Sequence, residues 1–370
     1  MKKPKKSFLL HAFLFIILIC LVYFAFITIN LKNNPPPTPS SAVFHSFTTN
    51  ASTITKNPDY NIWLIFTKVS TKSPLTVKFE NLLYNLLNVS SVLLNFNIIV
   101  DEKSKSIALL KLTEIMVKAN KSMNYKFYDV QDCARKITDI YDAMMPFFSS
   151  KPGTYYSDAL FYISLGLYRV APIKQKRAIL LDCDLYFKKD VALLFEEFQW
   201  FKSTAFFGLA PELTPVYKHI LHMYKRKHKT TFGEFYHQRP LSPSSPNHPK
   251  GFQGYNSGVV LVDFEKQRNS TEFSKIITKE SVINMTEKYK FRGHLGDQDF
   301  YTLLGYEYPE LIQTLNCGFN RQLCTWWRDH GYREIFDYYF KCDHPIVVLH
   351  GNCNTRIPMD YVNPQKNLTL

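Results

Sequence analysis

The sequence predicts an α/β domain with a mostly parallel sheet, preceded by one N-terminal transmembrane helix. From residue 59 onward, apolar strand-like runs alternate with segments of helical periodicity. These runs are apolar at consecutive positions, which is typical of parallel strands covered by helices on both faces. Near the N-terminus, an uncharged apolar run from Phe8 to Ile29 is long enough, at helical rise, to cross the roughly 30 Å of a bilayer core.

This N-terminal run has the flanks of an uncleaved signal anchor. Four lysines lie between residues 2 and 6, bulky aromatic side chains continue to the end of the run, and no small-residue cleavage site follows. The lysines place the N-terminus in the cytosol. We therefore predict a basic cytosolic tail at 1–6, a signal anchor at 7–29, a stem rich in Pro, Ser and Thr at 30–58, and a luminal domain at 59–370. The protein is then a single-pass type II membrane protein, with a cleaved signal as the alternative.

The charge of the chain has to be interpreted with this topology. Of the 370 residues, 46% are hydrophobic, which supplies a full core and excludes global disorder. The formal net charge of +14 is a feature of many nucleic-acid-binding proteins. However, the tail lysines and Lys32 account for five of these charges, and the topology separates the body from nucleic acid. The remaining excess suits anionic ligands in the lumen.

Sequons and cysteines agree with a luminal body. Six N-x-[ST] sequons occur, at Asn50, Asn88, Asn120, Asn269, Asn284 and Asn367. Of the seven cysteines, four are clustered in the C-terminal segment: Cys317, Cys324, Cys342 and Cys353. We expect them to form two disulfides in an oxidising lumen, with all three pairings open. A zinc site is the alternative, although no C-x-x-C pair is present.

The predicted elements of the body alternate along the chain. Strands are predicted at 61–67, 92–100, 125–130 and 178–181, and helices at 77–87, 104–120 and 157–168, with Ser104 as an N-cap. The proline- and serine-rich segment 239–250 predicts a surface loop. Because ligands bind at the carboxyl ends of parallel strands, we expect the chemistry just after each strand.

Two carboxylates follow the strand at 178–181 directly. Asp182 and Asp184 are two residues apart, so in extended chain they point to the same side. Two like charges there repel each other unless they share a cation, and a divalent ion bridging to a diphosphate would satisfy both. Solvated or helix-capping acids are the alternative interpretation. The apolar strand before the pair favours a metal site.

Three further features lie near predicted strand or helix ends. Asp297, in the segment 294–299, could N-cap a helix predicted at 298–304. His350 follows an apolar strand and is a candidate third metal ligand. Trp326 and Trp327 are interpreted as core residues, with a platform for a sugar ring as the alternative.

These motifs together resemble the retaining nucleotide-sugar transferases of glycosyltransferase family 8. The resemblance rests on Asp182-x-Asp184, the strand entry at 255–259, the segment Gly296 to Asp299 and the terminal His350-Gly351, and covers roughly Asn61 to Pro358. Within the family, the blocks RGHLGDQDFYTLLG, NRQLCTWWRDHGY and HGNCNT resemble the xyloside α-1,3-xylosyltransferases.

The resemblance implies a GT-A fold and retaining transfer from UDP-xylose to the xylose of a xylosyl-glucose-O-Ser glycan on the EGF repeats of Notch-type proteins. It also implies Mn²⁺ as cofactor, with Mg²⁺ not excluded, and favours the endoplasmic reticulum membrane over the Golgi. A homodimer stays open. The implied metal ligands are Asp182, Asp184 and His350; the implied donor-site residues are Ile65, Phe66, Thr67, Cys183, Asn256, Ser257 and Leu295. The implied residues beside the transferred sugar are Asp297 and Gln298, and those toward the acceptor are Gln298, Trp327 and Asn352.

Two departures from the family pattern stand out. Many members end in H-x-G-x-x-K-P-W, whose lysine touches the diphosphate, but this chain has no lysine in that segment, which instead carries Arg356. Cys183 between the two aspartates is an unusual residue that leaves a free thiol near the metal.

The sequence leaves other functions open. They are another family 8 transferase such as a glucoside xylosyltransferase, a phosphohydrolase with Asp182 as nucleophile, and a non-catalytic glycan-binding escort. For the transferase, Gln298 is a poor nucleophile, so we expect a front-face mechanism in which the departing phosphate takes the acceptor's proton.

Overall fold

The computed structural model describes residues 60–150, 158–220 and 253–358. The predicted tail, signal anchor, stem and 239–250 loop lie outside these ranges, so they stay predictions. Among the helices of the described ranges, none combines the length and apolar character that a bilayer crossing requires.

The strands confirm the prediction of a mostly parallel sheet. Ten strands occur in the described part of the chain: β1 (Asn61–Phe66), β2 (Asn95–Val100), β3 (Asn124–Asp129), β4 (Arg177–Leu181), β5 (Leu185–Phe187), β6 (Phe207–Pro211), β7 (Tyr255–Asp263), β8 (Ile312–Thr314), β9 (Arg321–Gln322) and β10 (Val348–His350). Seven form the main sheet in the order β3-β2-β1-β4-β7-β6-β8. All its pairings are parallel except those of β7, which is antiparallel to both β4 and β6.

Both faces of the central strands of the main sheet are buried, as the continuous apolar runs predict, whereas the edge strand β3 is exposed or half-buried. In β4, Ala178 and Leu180 face one apolar cluster, whereas Ile179 and Leu181 face the other. Trp63 of β1 is fully buried in the first cluster, where its indole N–H donates to Gln175 at 3.2 Å. The sheet is therefore a rigid central layer that positions whatever follows its strands.

The helices cover these two faces. Those that lie wholly within the described ranges are α1 (Pro74–Val89), α2 (Glu102–Ala119), α3 (Val130–Arg135), α4 (Thr138–Phe148), α5 (Ile163–Val170), α6 (Ala192–Glu196), α7 (Phe264–Asn269), α8 (Thr271–Ile276), α9 (Lys279–Tyr289), α10 (Asp297–Glu307) and α11 (Arg333–Phe340). The helix predicted at 157–168 is instead a 3₁₀ turn, Ala159–Tyr162, followed by α5. Residue 157 lies outside the described ranges.

One cap prediction is wrong. The N-cap of α2 is Asp101, not Ser104, and Ser104 lies within the helix. The Asp101 carboxylate accepts from the Ser104 backbone N–H and hydroxyl, each at 2.8 Å. A carboxylate at the end of β2 already satisfies the free N–H groups of the helix, so the helix begins earlier than predicted. The strand before it is also shorter than predicted, beginning at Asn95.

A second, small sheet holds the C-terminal segment beside the main one. Its order is β5-β10-β9, with β10 antiparallel to β5 and parallel to β9. Two disulfides, Cys317–Cys342 and Cys324–Cys353, link this segment internally. The disulfide expectation agrees with the structure, and the zinc alternative fails because all four thiols are paired.

Candidate active site

Polar side chains gather at one edge of the main sheet. Asp182 follows the carboxyl end of β4, and Glu212 follows that of β6. Because β7 runs antiparallel, its first residues, including Asn256 and Ser257, begin at the same edge, and Asn256 pairs with Ala210. The polar residues that follow the strands therefore lie together at this edge, where ligands of such sheets bind.

Asp182, Asp184 and His350 form a compact cluster. Nε2 of His350 lies 3.3 Å from Oδ1 of Asp184 and 3.7 Å from Oδ2 of Asp182. One ligand atom of each residue lies within 4.8 Å of the others. The pairing of β5 with β10 produces this arrangement, since it places His350 opposite Leu185, directly after Asp184.

The two carboxylates have different environments. Desolvation in the cleft and repulsion from Asp184 raise the pKa of Asp182 to about 6. Burial opposes ionisation of Asp184, but the hydrogen bond with His350 and the charges of His350 and Lys78 outweigh it and lower its pKa to about 2. For His350, burial disfavours protonation, yet the hydrogen bond and charge of Asp184 raise its pKa. The two carboxylates repel each other and attract the nearby cationic groups, and this is the electrostatic environment expected of a cation-binding site.

The donor set fits a divalent metal. It supplies two carboxylates and one imidazole, of which the Asp182 side chain is 58% exposed, Asp184 20% and His350 4%. A half-open carboxylate beside a buried imidazole leaves room for ligands from a substrate. Gly258 makes the ring position possible, because a Cβ there would lie 2.3 Å from Cε1 of His350.

A chain of amides connects His350 to a buried carboxylate. Nδ1 of His350 lies 2.9 Å from Oδ1 of Asn320. Nδ2 of Asn320 donates to Oδ1 of Asn256 at 2.8 Å, and Nδ2 of Asn256 donates to Oε2 of Glu212 at 2.8 Å. With every amide oriented this way, Nδ1 of His350 carries a proton, so Nε2 is the ring nitrogen that would bind a metal, in exchange for its hydrogen bond to Asp184.

Gln298 is anchored at both ends of its side-chain amide. Oε1 accepts from the Ser257 backbone N–H at 3.2 Å, and Nε2 lies 3.3 Å from Oε2 of Glu212. Glu212 is therefore shared between Gln298 and the amide chain to His350. Burial raises the pKa of Glu212 despite its hydrogen bonds from Asn256 and Thr214.

The N-cap prediction for Asp297 is wrong. Gly296 is the N-cap of α10, with a positive φ of 70°, and Asp297 is the first helical residue. Its carboxylate instead accepts from the Ser164 hydroxyl on α5. Burial and the charge of Asp182 raise the pKa of Asp297 to about 7, although Ser164 opposes the shift. A glycine with a left-handed backbone can turn the chain into α10 more easily than an aspartate can.

The residues predicted to bind the nucleotide-sugar donor differ in how deeply they are buried. Ile65 and Thr67 at the end of β1 are half-buried, whereas the Phe66 ring is fully buried and stacks on Phe79 at 4.2 Å. Only the backbone of Phe66 can therefore border a nucleotide. The buried Cys183 thiol donates to the Ile65 carbonyl at 3.7 Å and joins the two strand ends.

Ser257 and Leu295 are both half-buried at the same edge. Ser257 contributes a hydrogen bond to Asp297, and the Leu295 backbone N–H donates to Asp299 at 2.6 Å. The buried Asp299 also accepts from the Tyr217 hydroxyl at 3.1 Å. These contacts fix the segment that leads into α10.

The predicted acceptor residues differ in accessibility. Oδ1 of Asn352 accepts from the backbone N–H groups of Leu323 and Cys324, at 3.0 and 2.9 Å, so this oxygen is occupied. Trp327 is half-buried, with its ring 4.9 Å from that of His219. Trp326 is 50% exposed and stacks on His330, so its interpretation as a core residue is wrong.

Sequence reasoning missed several residues of this site: Lys78, Ser164, Glu212, Asn320 and Asn354. Of these, Glu212 could have been identified from the sequence, since it directly follows an apolar run at 205–211 of the kind that indicates a buried strand. The others lie on helices or turns, where a polar residue is ordinary.

Comparisons with known proteins place the chain. It is 39% identical over 307 residues to both the mouse and the human xyloside xylosyltransferase 1, covering 82% of this chain and 76% and 75% of those proteins. The chain belongs to the xyloside xylosyltransferase family. A crystal structure of the mouse protein in its apo form superposes with a TM-score of 0.72, covering 81% of this chain and all of that one.

A more distant structure supports the fold. The galactosyltransferase LgtC, solved with donor and acceptor sugar analogues, is 15% identical with a TM-score of 0.50 over 84% of this chain. The comparison with models of protein families found no match. The protein is a glycosyltransferase with the GT-A-like fold that its motifs predicted. The roles of Asp182, Asp184 and His350 are therefore interpreted as those of residues in a xyloside xylosyltransferase.

Proposed function

We propose that the protein transfers xylose from UDP-α-D-xylose, with retention, to the xylose of a xylosyl-glucose-O-Ser glycan on EGF repeats, forming an α-1,3 linkage. The observation that carries this proposal is the cluster of Asp182, Asp184 and His350 at the carboxyl edge of the sheet, in a chain of the xyloside xylosyltransferase family. The family relationship supports xylose, and the cluster supports a donor that carries a diphosphate.

The proposed metal is Mn²⁺, with Mg²⁺ as the alternative. Oxygen donors with one imidazole suit Mn²⁺ better than Ca²⁺, which takes oxygen ligands throughout. Bound by Asp182, Asp184 and His350, the cation would neutralise the negative charge that develops on the diphosphate leaving group.

The residues around the cluster favour a front-face mechanism. A double displacement needs a free carboxylate beside the sugar, but Glu212 is 3% exposed and held by Asn256 and Thr214. Asp297 is bonded to Ser164, and its raised pKa of about 7 leaves much of this carboxyl group protonated near neutral pH, a form that is not a nucleophile. Gln298, held by Ser257 and Glu212, is suited to orienting a sugar. In this proposal the acceptor proton passes to the departing phosphate oxygen on the same face.

The proposed location is the endoplasmic reticulum membrane, with the catalytic domain in the lumen and the Golgi as the alternative. The basic N-terminal flank of the apolar run supports this topology. The two disulfides of the C-terminal segment are consistent with an oxidising compartment.

A panel of UDP-sugars tests the proposal. The luminal domain is assayed with an EGF-repeat glycopeptide carrying xylose-glucose, and with the unmodified and glucose-only peptides as controls. We expect UDP-xylose and the xylose-glucose acceptor to give the fastest transfer. Preference for UDP-glucose, for the glucose-only peptide or for the unmodified peptide would contradict the proposed substrates. A covalent xylosyl-enzyme trapped at any side chain would contradict the front-face mechanism.

A further inference from the structure

Lys78 lies beside the proposed metal cluster although it comes from a distant part of the chain. It belongs to α1, the helix that follows β1. Its ammonium lies 3.2 Å from Oδ2 of Asp184 and 3.0 Å from Oδ1 of Asn354. The Lys78 side chain keeps 31% of its surface exposed. A lysine from the N-terminal half of the domain therefore links a candidate metal ligand to the segment after His350.

The segment after His350 does not supply an equivalent cation. From Gly351 to Pro358 it contains no lysine, and its one basic residue, Arg356, is exposed. Asn354, which accepts from Lys78, has a left-handed backbone with φ of 58°. Asparagine tolerates this conformation better than most residues, so the turn can present its amide oxygen to the ammonium.

The positive charge of Lys78 disfavours a metal ion bound at Asp184 without a nucleotide. The ammonium contacts Oδ2 of Asp184, while Oδ1 of the same carboxylate faces His350. A divalent cation on this carboxylate and an ammonium only a hydrogen bond away repel each other. A nucleotide diphosphate brings about two negative charges to the same place and removes this conflict. The lysine side chain is long and flexible enough to follow the new charge.

We propose that Lys78 is a positioning residue with two roles: counter-ion of Asp184 before the metal binds, and ligand of the donor diphosphate afterwards. It then disfavours binding of the metal alone and favours binding of the metal together with the nucleotide. Metal and nucleotide binding are coupled through one side chain, and the coupling acts equally in both directions. This inference rests on the proposed function as a UDP-sugar transferase.

Calorimetry of the full-length protein separates the two roles. Lys78→Met is compared with the wild type for Mn²⁺ alone, and for UDP in saturating Mn²⁺. We expect Mn²⁺ alone to bind about 2- to 5-fold more tightly, because a partly exposed ion pair is lost. UDP should bind about 10-fold or more weakly, because a charged hydrogen bond to phosphate is lost. Lys78→Arg should keep most of the UDP affinity.

Two controls identify the side chain responsible. Lys105→Met, on the exposed face of α2, should change neither affinity. Arg356→Met should leave UDP affinity unchanged. Three results would overturn the inference. The first two concern Lys78→Met, and they are an unchanged UDP affinity or a weaker binding of Mn²⁺ alone. The third is a loss of UDP affinity in Arg356→Met. If the wild type fails to bind UDP with Mn²⁺, the proposed function fails and this inference with it; if it binds UDP and Lys78→Met binds equally well, this inference alone fails.

Discussion

Nδ1 of His350 lies 2.9 Å from Oδ1 of Asn320, and this contact connects the candidate metal site to the buried interior. Asn320 is fully buried, and its amide nitrogen donates to Asn256, which in turn donates to Glu212. The direction of these bonds assigns the proton of the ring to Nδ1. Nε2 faces Asp182 and Asp184, and its hydrogen bond to Asp184 is the contact that a bound metal would replace.

Asn320→Leu should weaken metal binding. The substitution removes the acceptor for Nδ1–H of His350, so the ring loses its fixed tautomer and orientation. Losing such a supporting contact typically weakens metal affinity by about 10- to 100-fold. Calorimetric titration with Mn²⁺ measures the change. Asn97→Leu is the control, since Asn97 is also buried but bonds to Tyr128 and Gln175 instead. Equal affinities in Asn320→Leu and the wild type would contradict the assignment of the proton to Nδ1.

Asp184→Asn should abolish xylosyl transfer while the domain stays folded. The amide keeps the shape of the carboxylate but removes the charge that a divalent cation requires. We expect transfer to fall by at least about 100-fold, in line with losing a stabilising charge at the reaction centre. Circular dichroism checks the fold. Transfer at the wild-type rate in Asp184→Asn would favour a metal-independent reaction, whereas a folded wild type without any transfer would favour the non-catalytic escort.

Asp299 should make the domain less stable as the pH rises toward neutral. Burial raises its pKa to about 7, against an ordinary value of 3.8. Between these values the folded chain holds a proton that the unfolded chain has released, so stability falls by up to about 1.4 kcal/mol per pH unit. Denaturant unfolding of the metal-free domain from pH 5 to 8 measures the slope.

Asp299→Asn is the matched variant for this measurement. It removes the titrating group, so its stability relative to the wild type should increase steadily between pH 5 and about pH 7 and then level off. Asp101 provides a contrast because its pKa is lowered, so it contributes mainly at more acidic pH. A difference between the variant and the wild type that does not change over this range would show that Asp299 is ionised in the folded protein.

Gly258→Ala should damage the cluster through packing. The added Cβ would lie 2.3 Å from Cε1 and 2.7 Å from Nδ1 of His350, so the ring or β7 has to move. Overpacking of this kind costs about 1–3 kcal/mol of stability. Mn²⁺ affinity should fall together with stability, as measured by calorimetry and denaturant unfolding. Gly331→Ala is the control, because a Cβ there meets no atom within 4 Å, although its φ of 95° adds local backbone strain. We expect it to leave Mn²⁺ affinity unchanged.

Removing the Cys324–Cys353 disulfide should loosen the segment that carries His350. The two cysteines are 29 residues apart, which corresponds to about 3–4 kcal/mol in the chain-entropy description. The double substitution to alanine should lower the free energy of unfolding by up to this amount. The hydrogen bonds of Asn352 to Leu323 and Cys324 remain as a second link. A double variant with wild-type stability would show that these contacts hold the segment without the disulfide.

The sequence predicted those site residues that directly follow apolar strands. Asp182, Asp184 and His350 each follow a run of apolar residues, and strand geometry brought them to one edge. Glu212 follows the same rule on β6, yet its role depends on a register shift that places Asn256 opposite Ala210, which no local pattern encodes. The antiparallel direction of β7 was not predictable for the same reason.

Other parts of the site depend on tertiary packing alone. Lys78 lies in an ordinary amphipathic helix, and only the approach of α1 to the segment after His350 gives it a role. The depth of Phe66 follows from its stacking on Phe79. At helix starts, competing caps misled the prediction: Asp101 displaced Ser104 from the cap of α2, and Gly296 displaced Asp297 from that of α10.

The configuration and linkage of the product test the proposed α-1,3 xylosyl transfer. The full-length protein is incubated with UDP-α-D-xylose, Mn²⁺ and an EGF-repeat peptide that carries xylose-glucose, and the glycan is analysed by NMR. We expect a new xylose in α configuration, linked to position 3 of the acceptor xylose, and no such product from Asp184→Asn. A β-linked product, a different linkage position, or transfer only from another nucleotide sugar would contradict it.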